Sequence, residues 1–309
     1  MNCNLKSIGQ NFRKMGKYWQ IYVLIVPAVL WYILFSYYPM AGLQLAFKTY
    51  KVKLGIWGSP WNGIENFKIV FRDNAFWRAI LRTIYINFGR LIVVFPAPIV
   101  LALMLNEFRM RRYGKVMQVV FTFPHFLSWV IVTTIMINLL SIDGLVNGII
   151  SSLGGQKISF LGNASLFVPL LYATDIWKSI GYSAIIYMAA ISGIDQDQYE
   201  AAEIDGATRL QRIYYITLPN ILPTISVMFI MTTGRLMSAG FDQVFNMSNA
   251  ATQKVSEILD MYIYRISFGT SVDFGVSTAV SLFRSVVNMA LLLVANKGSK
   301  LLGGNGLLG

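Results

Sequence analysis

The residues of this chain that could do chemistry are ionisable side chains inside long apolar runs. A charged group at membrane depth is costly unless it is paired or faces water, so each one is a candidate functional residue. Asp175 and Lys178 are three residues apart and share a helical face. They either neutralise each other there or line a pathway. Arg284 and Asn288 are one turn apart, which suits a site for hydroxyls or a carboxylate, unless Arg284 pairs with an acid on another helix. Arg235 has no acidic neighbour in sequence.

Aromatic residues and one histidine are the next candidates. Trp177 and Tyr182 fall in the same run as Asp175. Their rings either face a pathway, where aromatic faces can stack on sugar rings, or anchor the span at the membrane interface. Trp31 and Trp77 are interpreted as interfacial anchors. His125 has no Cys or carboxylate at ligand spacing, so we expect a hydrogen-bonded polar group there and no metal.

The sequence carries no signature of catalysis or of nucleotide binding. Cys3 is the single cysteine, which excludes an internal disulfide. Leu153-Gly-Gly-Gln156 partly matches the signature that ATP-binding cassette ATPases place on nucleotide, but it lacks the serine. No G-x-x-x-x-G-K-[ST] phosphate loop occurs. We therefore expect a non-catalytic chain without a metal or cofactor of its own.

A polar loop at residues 192–219 interrupts the apolar pattern. Five of the fourteen acidic residues lie between positions 195 and 205. The pattern predicts a short helix capped by Asp195 or Asp197, with a stop or sharp turn at Gly206. A second helix should begin near Thr208, before Pro219. The loop is either a docking element for a basic partner, with small side chains at its tip, or a plain connection between spans.

Membrane spans must position these residues. The chain has 309 residues, 55% hydrophobic and 13% charged, and its mean hydropathy is +0.55. Soluble domains carry about 25% charged residues, so the balance indicates a bilayer protein. A span needs about 20 apolar residues. Six runs qualify: Tyr18–Tyr38, Thr83–Leu105, Val116–Leu140, Leu166–Ile191, Ile221–Gly240 and Val276–Ala295.

An even number of spans places both termini on one side. Twelve Lys and Arg residues outside the spans lie on the side of the N-terminus and nine on the other side. Because positive charge accumulates on the inner side of a membrane, this favours an inside N-terminus, and the basic cluster at 109–115 is the clearest evidence for it. The first run is long enough to be a retained span, in preference to a signal peptide. Arg82 and Arg90 are expected to reach the interface or contact phosphate. Segment 41–78 predicts an interfacial amphipathic helix, either a re-entry helix with aromatic anchors or a partner-docking element.

The polar loop resembles a known signature. Glu200-Ala201-Ala202, then Gly206 after three residues, then Ile216-x-Leu218-Pro219 after nine more, is similar to the "EAA" loop of type I ATP-binding cassette importer permeases. The resemblance implies a coupling helix seated in a separate cytoplasmic ATPase, so that 192–219 and both termini are cytoplasmic. It assigns the coupling residues as Glu200, Ala201, Ala202, Asp205, Gly206, Leu218 and Pro219.

Further motifs resemble the sugar-permease branch of that family, which includes the maltose permease subunits and permeases for oligosaccharides of complex polysaccharides. These motifs are Asn62-Gly-Ile-Glu-Asn-Phe67, Asp73-Asn-Ala-Phe-Trp77, Ala102-Leu-Met-Leu-Asn-Glu107, Phe123-Pro-His-Phe-Leu-Ser-Trp129, Ala239-Gly-Phe-Asp242 and Leu282-Phe-Arg-Ser-Val-Val-Asn288. The resemblance implies that the chain forms half of an oligosaccharide import pathway.

We therefore expect an all-α polytopic protein of the bacterial inner membrane, with a tail at 1–17 and a single permease domain at 18–309. Its expected partners are a second permease chain, an ATPase dimer that holds ATP and Mg, and an extracytoplasmic solute-binding protein. The net charge of +12, together with Arg235 and Arg284, which have no acidic partner nearby in sequence, favours an acidic oligosaccharide as the cargo. The alternatives are a permease for another solute and a stand-alone secondary transporter.

Overall fold

The computed structural model describes residues 19–107, 111–238, 240–270 and 272–301. Within these residues the chain is helical with no strand, which confirms the all-α prediction. The predicted tail 1–17 and Arg109 of the basic cluster lie outside the described residues. The α-helices are α1 (Trp19–Tyr32), α2 (Gly55–Gly58), α3 (Glu65–Arg72), α4 (Asn74–Val93), α5 (Ala97–Asn106), α6 (Arg111–Thr122), α7 (Trp129–Leu140), α8 (Leu145–Ser152), α9 (Ala164–Ser192), α10 (Gln196–Ile204), α11 (Arg209–Arg212), α12 (Leu218–Thr233), α13 (Phe241–Met247), α14 (Gln253–Ser256), α15 (Leu259–Phe268) and α16 (Phe274–Leu301). Tighter 3-10 turns form at Tyr38–Phe47, Val52–Leu54 and Phe123–Phe126, and wider π turns at Ile33–Tyr37 and Ile213–Thr217.

Among the described residues, five helical segments are long and apolar enough to cross a membrane, judged by length and composition: Trp19–Phe47, Asn74–Asn106, Trp129–Ser152, Arg209–Thr233 and Phe274–Lys300. Five of the six predicted spans overlap them. The other prediction, Leu166–Ile191, lies within α9, which has 29 residues and is about 43 Å long. It is long enough to cross, but Asp175 and Lys178 make it less apolar than the five.

The predicted span Val116–Leu140 is wrong as one continuous helix. The chain forms α6, the 3-10 turn Phe123–Phe126 and then α7. Pro124 has no N–H to donate, which favours a break there. Ser128 starts α7 afresh, because its hydroxyl accepts a hydrogen bond from the Ile131 N–H at 3.3 Å.

The predicted span Ile221–Gly240 is shifted along the chain. A helical segment runs from Arg209 to Thr233 instead. It starts early because Thr208 caps it. It ends at Thr233, and a turn follows in which the Met237 N–H donates to Asn288 Oδ1 at 2.9 Å.

The described residues divide into two compact units, one of residues 19–69 with 273–282 and the other of 70–272 with 283–301. In the first unit, Asn66 is buried and its side-chain amide donates to the carbonyls of Leu45, Ala46 and Lys48 at 3.0–3.1 Å. The Lys48 ammonium is also internal and donates to the Ile56 carbonyl at 2.9 Å. These bonds give the irregular part of segment 41–78 a defined fold, and α3 follows it where a helix was predicted.

The second unit is built around α9, which packs against α5, α6 and α12. Its apolar core includes Ile99, Ala102, Tyr187, Ile191 and Ile221. α9 and α6 approach closely at Gly181, which is buried. A Cβ at Gly181 would overlap the backbone of Phe121 and Thr122, so the absence of a side chain allows this contact.

We predict that Gly181→Ala destabilises the protein by about 1–3 kcal/mol, because the added methyl group meets backbone, which cannot rotate away. Thermal unfolding of the detergent-solubilised chain measures the effect. Gly148→Ala in α8 is the matched control, since nothing lies within 4 Å of its added Cβ. Equal melting temperatures for the two variants would contradict the close-contact role of Gly181.

Candidate functional site

The polar loop folds as helix, turn and helix, as its sequence predicted. Asp195 begins α10, and its carboxylate accepts a hydrogen bond from the Asp197 N–H at 3.1 Å. Of the two predicted caps, Asp195 is therefore the one that acts. The helix ends at Ile204.

Gly206 provides the predicted sharp turn. Its φ is +76°, a left-handed conformation that residues with a side chain rarely adopt. The Gly206 N–H donates to the Glu203 carbonyl at 3.1 Å, and the Ala207 N–H donates to the Ala202 carbonyl at 2.9 Å. This pair of bonds is a Schellman motif, which satisfies the free carbonyls at the end of α10.

The second helix starts where it was predicted. The Thr208 hydroxyl accepts from the Gln211 N–H at 3.4 Å, while Gln211 Oε1 accepts from the Thr208 N–H at 2.8 Å, so the two form a capping box. The helix continues through α11, the π turn and α12 as one segment, Arg209–Thr233. Leu218 is half-buried and Pro219 is exposed. Pro219 has no N–H to donate to the preceding turn, and it follows directly after the π turn Ile213–Thr217 and Leu218.

Side-chain contacts join the two helices of the loop. Glu203 Oε2 and Arg212 Nη1 form a salt bridge at 3.1 Å. The Tyr199 and Thr217 hydroxyls are 2.9 Å apart, within hydrogen-bonding distance, and Thr217 is buried. The loop is therefore tied to the base of the long helical segment.

The tip of the loop is open to solvent. Glu200, Ala201, Asp205 and Gly206 are exposed, and Ala202 is half-buried. Exposed apolar side chains flank them, with Ile204 at 87% and Leu210 at 78%. Small, acidic and apolar side chains thus share one accessible surface, which suits docking against another protein.

A second candidate site is a cavity of about 320 Å³ within the second unit. Its lining is contributed by α4, α5, α7, α9 and α12 and by the start of α13. Arg90 and Asp175 are the charged members of that lining. Aromatic, hydroxyl and amide groups also face the cavity, from Trp129, Ser179, Ser183, Tyr187, Thr232 and Gln243. Such groups can contact an uncharged polar solute.

Arg90 joins three helices beside this cavity. It is 8% exposed, and its Nε lies 3.4 Å from Asp175 Oδ2. Its Nη1 donates to Asn87 Oδ1 at 3.0 Å, and its Nη2 donates to Gln243 Oε1. The expectation that Arg90 reaches the interface or contacts phosphate is wrong, because protein groups hold the guanidinium inside. Arg82 was expected to behave likewise but forms an ion pair with Glu257 at 3.8 Å.

Gln243 and Gly240 complete this network. The Gln243 amide donates to the Leu171 carbonyl at 2.7 Å and to the Thr174 hydroxyl at 2.8 Å. Gly240 has a φ of +97°, and a Cβ there would overlap the Arg90 guanidinium. Sequence reasoning missed Gln243 and Gly240. Gln243 could have been found from the sequence, because a side-chain amide inside a largely apolar region is energetically costly unless it is hydrogen-bonded.

Asp175 and Lys178 are not ion-paired with each other, which corrects one of the two expectations for them. Asp175 pairs with Arg90. The Lys178 ammonium donates to the His125 carbonyl at 2.7 Å and lies 5.6 Å from the centroid of the Trp129 ring. The Asp175 carboxylate therefore lines the cavity, whereas the Lys178 ammonium contacts the turn between α6 and α7.

Tyr182 and His125 are stacked face to face, with ring centroids 3.9 Å apart and planes 2° apart. Tyr182 is 46% and Trp177 40% exposed. Neither is among the cavity-lining residues. Among the described residues no cluster of three or more His, Cys, Asp or Glu could hold a metal ion.

The predicted Arg284–Asn288 site is divided between other partners. Arg284 pairs with Asp260 of α15, so the alternative of an acid on another helix is the correct one. Asn288 Oδ1 accepts a hydrogen bond from the Met237 N–H, and the Asn288 side-chain amide donates to the Ser238 hydroxyl. These two bonds hold the turn that follows α12. Arg235 is exposed in the same turn.

Comparison with known proteins identifies the family. Residues 94–294 match the family described as binding-protein-dependent transport system inner membrane component. Protein LplB of Bacillus subtilis (strain 168) is 41% identical over 277 residues, which cover 89% of this chain and 87% of LplB. The polygalacturonan/rhamnogalacturonan transport system permease protein YteP of the same strain is 40% identical over 288 residues, covering 93% and 89%.

Solved structures agree with this assignment. A chain of a bacterial ABC transporter involved in the import of the acidic polysaccharide alginate superimposes with a TM-score of 0.87 at 35% identity, covering 94% of this chain and 98% of that one. A second structure of a bacterial alginate ABC transporter, in complex with an alginate pentasaccharide-bound periplasmic protein, gives 0.87 at 34% identity, covering 96% and 99%. The chain therefore belongs to the family of binding-protein-dependent transport system inner membrane components, the permease subunits of ABC importers.

Proposed function

We propose that this chain forms half of the translocation pathway of an ATP-driven importer of oligosaccharides in a bacterial inner membrane. A separate ATPase dimer hydrolyses ATP and moves the loop at 199–219. A second permease chain completes the pathway, and an extracytoplasmic binding protein delivers the cargo. Family membership supports the importer, and the loop geometry carries the coupling role.

The loop is built to transmit displacement. Its tip is exposed, while the Schellman turn, the capping box and the Glu203–Arg212 salt bridge fix its shape. The segment Arg209–Thr233 continues from the tip without a break, and its Met228 and Thr232 line the cavity. A push on α10 would therefore reach the cavity wall through one helix. Alternating access requires a mechanical connection of this kind.

The surface of the tip suits a protein partner. Glu200 and Asp205 supply negative charge, and Ala201 allows close approach because its side chain is small. Ile204 and Leu210 offer apolar area that is otherwise left in solvent. With the ATPase on this side, residues 192–219 and both termini are cytoplasmic, and parts of 41–78 and 241–275 face the binding protein.

The cargo is proposed to be an oligosaccharide derived from an acidic polysaccharide. YteP is described as a polygalacturonan/rhamnogalacturonan permease, and the alginate importer handles an acidic polysaccharide. The cavity lining adds support, since Trp129 and Tyr187 provide rings and Ser179, Ser183 and Thr232 provide hydroxyls. Arg284 adds no support for an acidic cargo, because its charge is neutralised by Asp260.

A neutral oligosaccharide is the second candidate. More distant relatives include the lactose permease LacF of Rhizobium radiobacter, at 27% identity, and the trehalose/maltose permease MalF of Thermococcus litoralis, at 26%. A stand-alone ion-driven transporter is less well supported, because the carboxylate expected to couple an ion, Asp175, already has a cationic partner in Arg90.

We predict that Glu200→Lys lowers oligosaccharide uptake by about tenfold or more, because reversing a charge at a docking surface costs several kcal/mol. Co-purification of the ATPase with the permease, measured together with uptake in cells, tests this. Asp143→Lys makes the same change of charge at an exposed acid outside the loop, and it should retain the ATPase. Unchanged uptake and unchanged ATPase retention for Glu200→Lys would remove the coupling role from this loop.

We predict that uronate oligosaccharides, presented with the binding protein, stimulate ATP hydrolysis by the reconstituted importer. The measurement compares galacturonate and mannuronate oligomers with neutral oligomers of equal length. Stimulation by neutral oligomers alone would replace the acidic cargo with the neutral one. An importer that responds to no oligosaccharide would contradict the sugar assignment as a whole.

A further inference from the structure

The cavity in the second unit contains opposite charges that cancel within its wall. Arg90 and Asp175 are the charged residues of its lining, and they form an ion pair. The lining as a whole therefore presents no net charge to a solute. A neutral lining is unexpected in a pathway for an acidic oligosaccharide, because a buried guanidinium is the group best suited to hold a sugar carboxylate.

The donors of Arg90 are directed at protein groups. Nε faces Asp175, Nη1 donates to Asn87 and Nη2 donates to Gln243. Gly240 leaves space for this arrangement, because any side chain at that position would overlap the guanidinium. Each of the three nitrogens thus has an acceptor of the wall nearby, and Nε, which makes no hydrogen bond, has the Asp175 carboxylate as its ionic partner.

Asp175 is positioned from its own helix as well. The Ser179 hydroxyl donates to the Asp175 backbone carbonyl at 2.6 Å and also lies 3.2 Å from Asp175 Oδ1, while Oδ2 lies 3.4 Å from Arg90 Nε. Lys178, the other nearby cation, donates to the His125 carbonyl and is not part of the cavity lining. Asp175 is therefore the group that neutralises Arg90.

A translocation pathway must hold its cargo weakly enough to release it. A buried guanidinium that has lost its carboxylate partner would carry an uncompensated charge, which would attract each passing uronate. An ion pair built into the wall prevents such binding and leaves hydroxyl and ring contacts, which acidic and neutral sugar units share.

We propose that Asp175 is a specificity-determining residue that masks the charge of Arg90, so that anionic sugar units cross the cavity without being trapped. This proposal rests on the proposed oligosaccharide import. It makes Asp175 a determinant of how fast acidic cargo leaves, with a smaller effect on neutral cargo of the same size.

The test uses the assembled importer in proteoliposomes, with a uronate trisaccharide and its carboxyl-reduced neutral counterpart. Asp175→Asn should slow uronate import by about tenfold, the effect of one added charge-assisted hydrogen bond. Neutral import should fall by a smaller factor, because loss of the buried pair affects both sugars, whereas the uncompensated charge slows the uronate alone. The purified Asp175→Asn complex should also retain uronate after washing, unlike the wild type.

Two further variants separate masking from a structural role. The double variant Arg90→Gln/Asp175→Asn removes both charges, so the ratio of uronate import to neutral import should return to the wild-type value even where both rates are lower. It also serves if the single variant fails to assemble. Asp260→Asn is the matched control, since it removes the carboxylate of the Arg284 ion pair, which is not in the cavity lining. It should change the import of both sugars by the same factor.

The outcomes distinguish this proposal from the function on which it rests. Equal slowing of both sugars by Asp175→Asn, or no slowing of either, overturns the masking role while import itself stands. A wild-type importer that moves neutral but not acidic sugar also overturns it. A wild-type importer that moves neither sugar contradicts the proposed function instead.

Discussion

The arrangement of the second unit depends on a single buried guanidinium. Moving a cation out of water costs several kcal/mol, which an ion pair and hydrogen bonds can offset. Arg90 obtains them from three helices, through Asn87 of α4, Asp175 of α9 and Gln243 of α13. This requirement fixes how α13 approaches α4 and α9, and it explains the left-handed glycine at 240, the position where a side chain would displace the guanidinium.

The same region connects the polar loop to the cavity. The helical segment Arg209–Thr233 begins at the capping box beside Gly206 and brings Thr232 into the cavity wall near its other end. Twenty-five residues of helix span about 37 Å, so the two sites are well separated but joined by one stiff element. Its π turn at Ile213–Thr217 is the irregular part. Turns of this kind often occur at functional positions, and here the turn contains Thr217, which contacts Tyr199 of α10.

Local chemistry explains which predictions from the sequence succeeded. The cap at Asp195, the turn at Gly206 and the start at Thr208 each depend on residues within five positions of one another, so spacing alone was sufficient. Partners distant in sequence could not be found that way. Arg90 and Gln243 are 153 residues apart, and Asp260 and Arg284 belong to different helices. The Asp175–Lys178 pair was expected because the two are near in sequence, but the fold supplies Arg90 as the closer partner for the carboxylate. The break at Pro124 was obscured by the apolar residues on both sides.

Neutralisation of internal charge is the common outcome of these long-range contacts. Arg82 and Arg265 share Glu257, Arg284 has Asp260, and Arg90 has Asp175. The excess of basic residues in the sequence therefore does not become a positively charged cavity, and it carries no information about the charge of the cargo. Weak contacts through rings and hydroxyls would discriminate little between sugars of similar size. The binding protein that presents the oligosaccharides would then select among them, and weak contacts in the pathway would allow each one to be released quickly.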